Sequence, residues 1–272
     1  MFIWPAFESD SRANRLKAYE VGKPVDAATT ARWVDLCGPE EVATQVALAY
    51  PSSVRVEVPP GRRSEWSHRF FFESGPPDSL TGMLDFLKKY LTLTATPRLD
   101  FAVAFDWYKK PEDGVEPNQW KNTTVGELVY RGKYYKLNPI AQRRALTQLA
   151  TGTAKAIAIH PLYSSATTVI TVPGHKNDGK SFGEKYAARV ASELEKTLVV
   201  TECTIGERPP AKETGSADLD GKFHIRSTLA GPAIIIDDVY RSGGSFRATA
   251  LAALHAGATH VYGLAAVRTL RN

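Results

Sequence analysis

The run Ala233-Ile234-Ile235-Ile236 ends in two adjacent carboxylates, Asp237 and Asp238. It leads through Val239-Tyr240-Arg241-Ser242-Gly243-Gly244-Ser245 into a helical pattern from Phe246 to Ala256. Nothing in the apolar run alternates, so it reads as a strand buried on both faces, the kind that fills parallel sheets. Ser245 is a candidate N-cap for the helix and Gly257 a candidate C-cap. Strand, Gly-rich loop and helix in that order bring loop amides together at a helix N-terminus, a geometry that binds phosphate. The carboxylates would repel phosphate, but they accept hydrogen bonds from vicinal hydroxyls and can stand near a metal. Diol acceptors beside a phosphate cradle describe a site for a ribose 5-phosphate group. A solvated acidic turn is the bland alternative; the coincidence of apolar run, Asp-Asp and Gly-Gly-Ser in one register argues against it.

Composition bounds the class. The chain has 272 residues, enough for one large domain or a domain with an appendage, and 43% are hydrophobic, enough for a sizeable core. No stretch approaches the roughly 18 apolar residues of a membrane helix. The start, Met1-Phe2-Ile3-Trp4-Pro5, lacks the basic and long apolar regions of a signal peptide. Cys37 and Cys203 are far apart and form no CxxC pair, which argues against a zinc site or disulfide framework. The expectation is a cytoplasmic protein without a metal cage. Charge is uneven: residues 121–160 hold seven basic residues against Glu127, whereas residues 1–120 hold 14 basic and 17 acidic. That basic stretch could meet an anionic substrate, nucleic acid or an acidic partner, and a solvated helix face explains it equally well.

Along the chain, all five Trp precede residue 121 and the second half has the cleaner α/β rhythm. Residues 29–49 look helical, Val54–Val58 and His68–Phe72 look like strands, and Ser79–Leu91 carries one apolar stripe of helical spacing. Residues 1–95 therefore form an α/β appendage of unknown role, and residues 96–272 the main domain. There, Leu99–Phe105 is a strand candidate and roughly 139–158 a long helix. Thr168–Val172 is a β-branched strand ended by Pro173-Gly174. Ser181 and Glu184 open the next helix as a capping box, with Phe182, Tyr186, Val190 and Leu194 on one face. Leu198–Val200 is a short strand, residues 201–222 read as a long polar loop, and His260–Val267 is the last strand. This order predicts a doubly wound, mostly parallel sheet with ligands at the carboxyl ends of its strands. Loops 173–180 and 237–245 both run from strand to helix, so right-handed connections place them on one edge.

Residues 234–245 resemble the 5-phosphoribosyl 1-pyrophosphate (PRPP) motif of type I phosphoribosyltransferases. Over about residues 100–272 the chain looks most like their ComF-type branch. Gly126–Tyr134, the Val172-Pro173-Gly174-His175-Lys176 loop and Ala265–Leu270 add to the likeness. The branch's Cys-rich zinc ribbon has no counterpart. The resemblance implies the type I fold and a set of roles. Asp237 and Asp238 would bind the ribose hydroxyls. Arg241, Ser242, Gly243, Gly244 and Ser245 would hold the 5-phosphate, and Pro173, Gly174, His175 and Lys176 the pyrophosphate. Arg208 and Lys212, on a loop closing over the site, would neutralise departing pyrophosphate. Mg²⁺ would enter bound through PRPP.

The function this implies is transfer of phosphoribosyl to a nucleobase or similar small nitrogen acceptor, with release of pyrophosphate. The alternative is a PRPP- or nucleotide-binding regulatory module, or a bacterial defence effector, of the same fold with little or no turnover. A homodimer stays open. Nucleic acid contact through 121–160 is open but not favoured, and no membrane partner is expected.

Overall fold

The computed structural model describes residues 14–24, 30–94, 96–112, 114–135, 137–208 and 219–269. The first part of the chain builds an antiparallel sheet from β1 (Ala18–Gly22), β2 (Arg32–Cys37), β3 (Val54–Val56) and β4 (His68–Phe72), in the order β1-β2-β4-β3. Helices α1 (Glu40–Ala49) and α2 (Ser79–Lys89) cover it. The helix expected over 29–49 is thus divided. Arg32–Cys37 buries Val34, Asp35 and Leu36 as a central strand, and α1 starts only after Gly38 and Pro39. Asp35 is fully buried because Arg69, on the neighbouring strand, grips it with Nε and Nη2 at 2.5 and 2.6 Å.

A six-stranded sheet follows, built on β5 (Leu91–Leu93), β6 (Phe101–Trp107), β7 (Thr168–Thr171), β8 (Thr197–Val199), β11 (Gly231–Tyr240) and β12 (Ala258–Arg268). Its order is β5-β6-β12-β11-β7-β8, with β5 antiparallel to β6 and every other pair parallel. The sheet is mixed and mostly parallel. Because β5 is its edge strand and α1 and α2 share a core with β6 and β12, the described part of the first 95 residues packs onto the rest.

Both faces of this sheet are covered. One carries α3 (Thr124–Tyr134), α4 (Pro139–Ile159), α5 (Pro161–Ser165) and α6 (Phe182–Glu193), packed on Ile234 and Ile236. The other carries α7 (Gly244–His255), packed on Ala233 and Ile235. Burial on both sides is what the unalternating run demands. Each buried isoleucine contributes roughly 1.5–3 kcal/mol.

The polar segment after β8 holds one element that periodicity missed. Two residues, β9 (Glu202–Cys203), pair antiparallel with two more, β10 (Phe223–His224). Residues that short carry no period, and their partners lie far along the chain. Residues 209–218, Lys212 among them, lie outside the described residues.

Candidate functional site

Strands β7 and β11 are parallel neighbours, yet their following helices, α6 and α7, lie on opposite faces. The loops after them diverge there and leave a crevice at the carboxyl edge. A cleft of about 2030 Å³ opens at that point. Its lining brings together Asp237, Asp238 and Arg241–Ser245 from the end of β11, Pro173, Gly174 and His175 from the loop after β7, and Arg208 from beyond β9.

Pairing of β11 with β12 runs past the isoleucines, through Asp237 with Ala265 to Tyr240 with Arg268. The two aspartates are therefore strand residues rather than loop residues. Helix α7 starts two residues earlier than the Ser245 cap predicts. Its N-cap is Gly243, in the left-handed region at φ 78°, and a side chain there would meet the Tyr240 hydroxyl at 2.5 Å. The first intrahelical bond runs from Arg247 N–H to Gly243 C=O at 2.8 Å. The amides of Gly244, Ser245 and Phe246 precede it, so they are the open donors of the helix start.

Helix α6 closes in from the other side. Its capping box forms as predicted: Glu184 N–H donates to Ser181 Oγ at 3.2 Å, and Ser181 N–H to Glu184 Oε2 at 2.9 Å. Two glycines permit the approach. A Cβ on Gly174 would stand 2.6 Å from Ser181 Cβ, and one on Gly183 would stand 2.5 Å from Asp237 Oδ1. Loop, helix start and aspartate pair are thus fitted at backbone contact.

A lysine completes the centre. Lys133 Nζ lies 2.8 Å from Asp238 Oδ2; the aspartate side chain is 8% exposed and the lysine side chain 30%. Helix α3 is aimed by its N-cap, where Thr123 Oγ1 accepts from Gly126 N–H at 3.0 Å. It is seated by Gly132, where a Cβ would enter the Phe182 ring at 2.2 Å. Burial acts against the Lys133 charge, but the charge and hydrogen bond of Asp238, with Asp237 behind them, outweigh it and hold the ammonium above its ordinary pKa. Asp237 moves up as well. Burial raises it most and the Asp238 charge adds, while Lys133 and the Asp238 N–H bonded to Asp237 Oδ1 at 2.8 Å pull the other way. One ammonium faces two carboxyl groups, and burial with their mutual repulsion favours a proton on Asp237.

The other expected residues divide. Arg208 is pinned at the cleft: its Nη2 donates to Pro173 C=O at 2.6 Å, its N–H to His175 C=O at 2.7 Å, and its guanidinium stands 4.9 Å from the Phe223 ring. Lys176 is exposed and does not line the cleft, whereas Lys180 and Lys185 do. Lys133 lay within the Gly126–Tyr134 stretch without a role; its one signal was the small Gly132 before it, which lets α3 approach α6. Tyr108, just after β6, and Tyr130 and Tyr134 on α3 also line the cleft, and tyrosines on an exposed helix face carry no signal of their own.

Among the described residues, no three His, Cys, Asp or Glu side chains group to hold a metal ion, and no helix is long and apolar enough to cross a membrane. The fold is α/β with a mixed, mostly parallel six-stranded sheet, compatible with the Rossmann-like kind, and the cleft lies at a topological switch point. No protein-family model matches the chain, nor does any curated protein.

Proposed function

We propose that the cleft binds PRPP and that the protein is a phosphoribosyltransferase of the type I fold, moving phosphoribosyl to a nitrogen acceptor. The observation that carries this reading is the placement of the Asp237–Asp238 pair directly before the open amides at the start of α7. Carboxylates accept from the 2- and 3-hydroxyls of the ribose, and amides with Ser242 and Ser245 hydroxyls take the 5-phosphate. The Pro173–His175 loop and Arg208 face the space where the pyrophosphate would lie.

The donor set also fits a divalent cation. Mg²⁺, bound to ligand oxygens, would favour both carboxylates in their ionised form in place of the proton that burial and repulsion favour on Asp237, with Asp237 and Asp238 as the protein oxygens nearest it. Bound there, it would supply charge to the leaving group.

Loss of pyrophosphate from C1 builds positive charge on the ribose ring and negative charge on the departing group. The protein's part is to hold both reactants, place Arg208 and Lys133 against growing negative charge and exclude water. Pyrophosphate release from PRPP and Mg²⁺ with a panel of nitrogen acceptors tests the reading. Release that depends on an acceptor supports it. PRPP binding with no release from any acceptor would replace it with a binding module.

A further inference from the structure

The cleft is larger than PRPP and a free base need. Sites for drug-sized ligands span about 300–1000 Å³, and this one spans about 2030 Å³. Its outer half runs over α3 and the start of α4. Tyr130 and Tyr134, one turn apart on α3, are 40% and 50% exposed, with ring centroids 5.3 Å apart and planes at 45°. Tyr108 stands in the same wall. Burial first, and then neighbouring Tyr134, push its phenol up to about 12, so it remains a neutral donor at neutral pH. Trp120 lines the far end, held by its indole N–H on Val115 C=O at 2.9 Å. Exposed aromatic faces gathered in a cleft fit a flat partner.

Charge gives the partner's second property. Among the described lining residues, eight are Lys or Arg and three are Asp or Glu, an excess of five. The entire chain has a net charge of +5. The cleft is therefore strongly basic. Arg208, Lys133 and Arg241 fall to the PRPP half. Arg143 on α4, Lys180 before α6 and Lys185 on its first turns have no role in that reading. These three make no ion pair or side-chain hydrogen bond among the described residues, although all line the cleft.

Building on the phosphoribosyltransferase reading, we propose that the acceptor is a nucleotide rather than a free base. Its ring stacks on Tyr130 and Tyr134, and its phosphate is held by Arg143, Lys180 and Lys185. The ring nitrogen's lone pair forms the new bond to C1 of PRPP as the C1–O bond breaks. The bonding electrons leave with pyrophosphate, and a proton on that nitrogen, where there is one, passes to solvent. The phosphorylated unit could be a free mononucleotide or the end of a single strand, since both present the same ring and phosphate.

The test is calorimetry on the full chain saturated with ribose 5-phosphate, which occupies the phosphate loop and the aspartate pair. Adenosine, AMP and a 5′-phosphorylated adenosine dinucleotide are titrated in turn. AMP is expected to bind about tenfold or more tightly than adenosine, the range of one charge-assisted contact. In Arg143→Ala/Lys185→Ala, both sites being exposed, that ratio falls to about one, whereas Tyr134→Ala weakens adenosine and AMP alike. A dinucleotide binding tighter than AMP identifies a strand end; equal binding identifies the mononucleotide, and either supports the assignment. Adenosine matching AMP on the loaded protein, or a ratio that survives the double substitution, overturns the nucleotide assignment alone. Failure of ribose 5-phosphate to bind overturns the phosphoribosyl reading and the acceptor assignment with it.

Discussion

Lys133 Nζ stands 2.8 Å from Asp238 Oδ2, so the second aspartate is held in an ion pair reaching across from α3 to β11. Opposite charges this well buried interact strongly, but desolvation offsets much of the gain, and most of the measurable effect appears when one partner is removed. Lys133→Met should destabilise the protein by about 1–3 kcal/mol, because it leaves two carboxylates with no cation between them. Lys133→Met with Asp238→Asn should recover a large part of that loss. Urea unfolding of the four proteins in the cycle gives the coupling; additive losses would show that the two side chains do not communicate.

The aspartate pair depends equally on what is absent opposite it. Gly183 lies in the first turn of α6, where alanine is the better helix former by roughly 0.5–1 kcal/mol. Its missing Cβ leaves room for Asp237 Oδ1, which a methyl would approach to 2.5 Å. Gly183→Ala should therefore leave thermal stability close to wild type while weakening PRPP by about tenfold, since the carboxylate must turn away. Wild-type affinity in a folded Gly183→Ala protein would mean that Asp237 tolerates the shift.

Arg208 separates binding from turnover. It is fastened to the Pro173 and His175 carbonyls and lies beside the leaving group's expected place. Negative charge on pyrophosphate grows as its bond breaks, so a cation there favours the transition state over the ground state. Arg208→Ala should lower the single-turnover rate by about 10²–10³ and leave PRPP affinity within a few fold. A loss confined to affinity would make Arg208 a binding residue only.

How much of this was legible in the sequence follows from the range of each signal. The Ile234–Asp238 run, the Ser181–Glu184 capping box and the helix after Gly243 are local, and each was readable from residue type and spacing. Leu91, the first residue of the edge strand Leu91–Leu93, was absorbed into the α2 stripe, because an apolar residue fits either element. Arg32–Cys37 was merged with α1 since its buried residues, Val34, Asp35 and Leu36, are consecutive and give no alternation to betray a strand. Lys133 was unassigned because its partner lies 105 residues away, with three helices and four strands of the described residues between them. The pairing of Glu202–Cys203 with Phe223–His224 is hidden for the same reason.

His160 lies deep between α2 and the main sheet, packed against the rings of Phe86, Phe101 and Tyr163 at 5.0, 5.3 and 4.9 Å. Neither ring nitrogen has a hydrogen-bond partner. Burial lowers its pKa from 6.5 to about 3. The folded ring stays neutral where the unfolded chain takes up a proton, so the stability tied to neutrality is whole above the unfolded value and drains as pH falls toward the folded one. His160→Leu should be no less stable than wild type near neutrality, with an advantage that widens between about pH 6.5 and 3. Denaturation midpoints across that range check it; a constant difference between the two proteins would rule out the histidine.

The central claim is that Asp237 and Asp238 receive the ribose of PRPP. Calorimetry of PRPP with Mg²⁺, on wild type and on Asp237→Asn/Asp238→Asn, tests it most directly. A charge-assisted hydrogen bond is worth about 1.5–3 kcal/mol, so the double variant should bind PRPP at least about tenfold more weakly while keeping its cooperative unfolding. PRPP bound equally well by a folded double variant, or not bound by the wild type, would contradict the account.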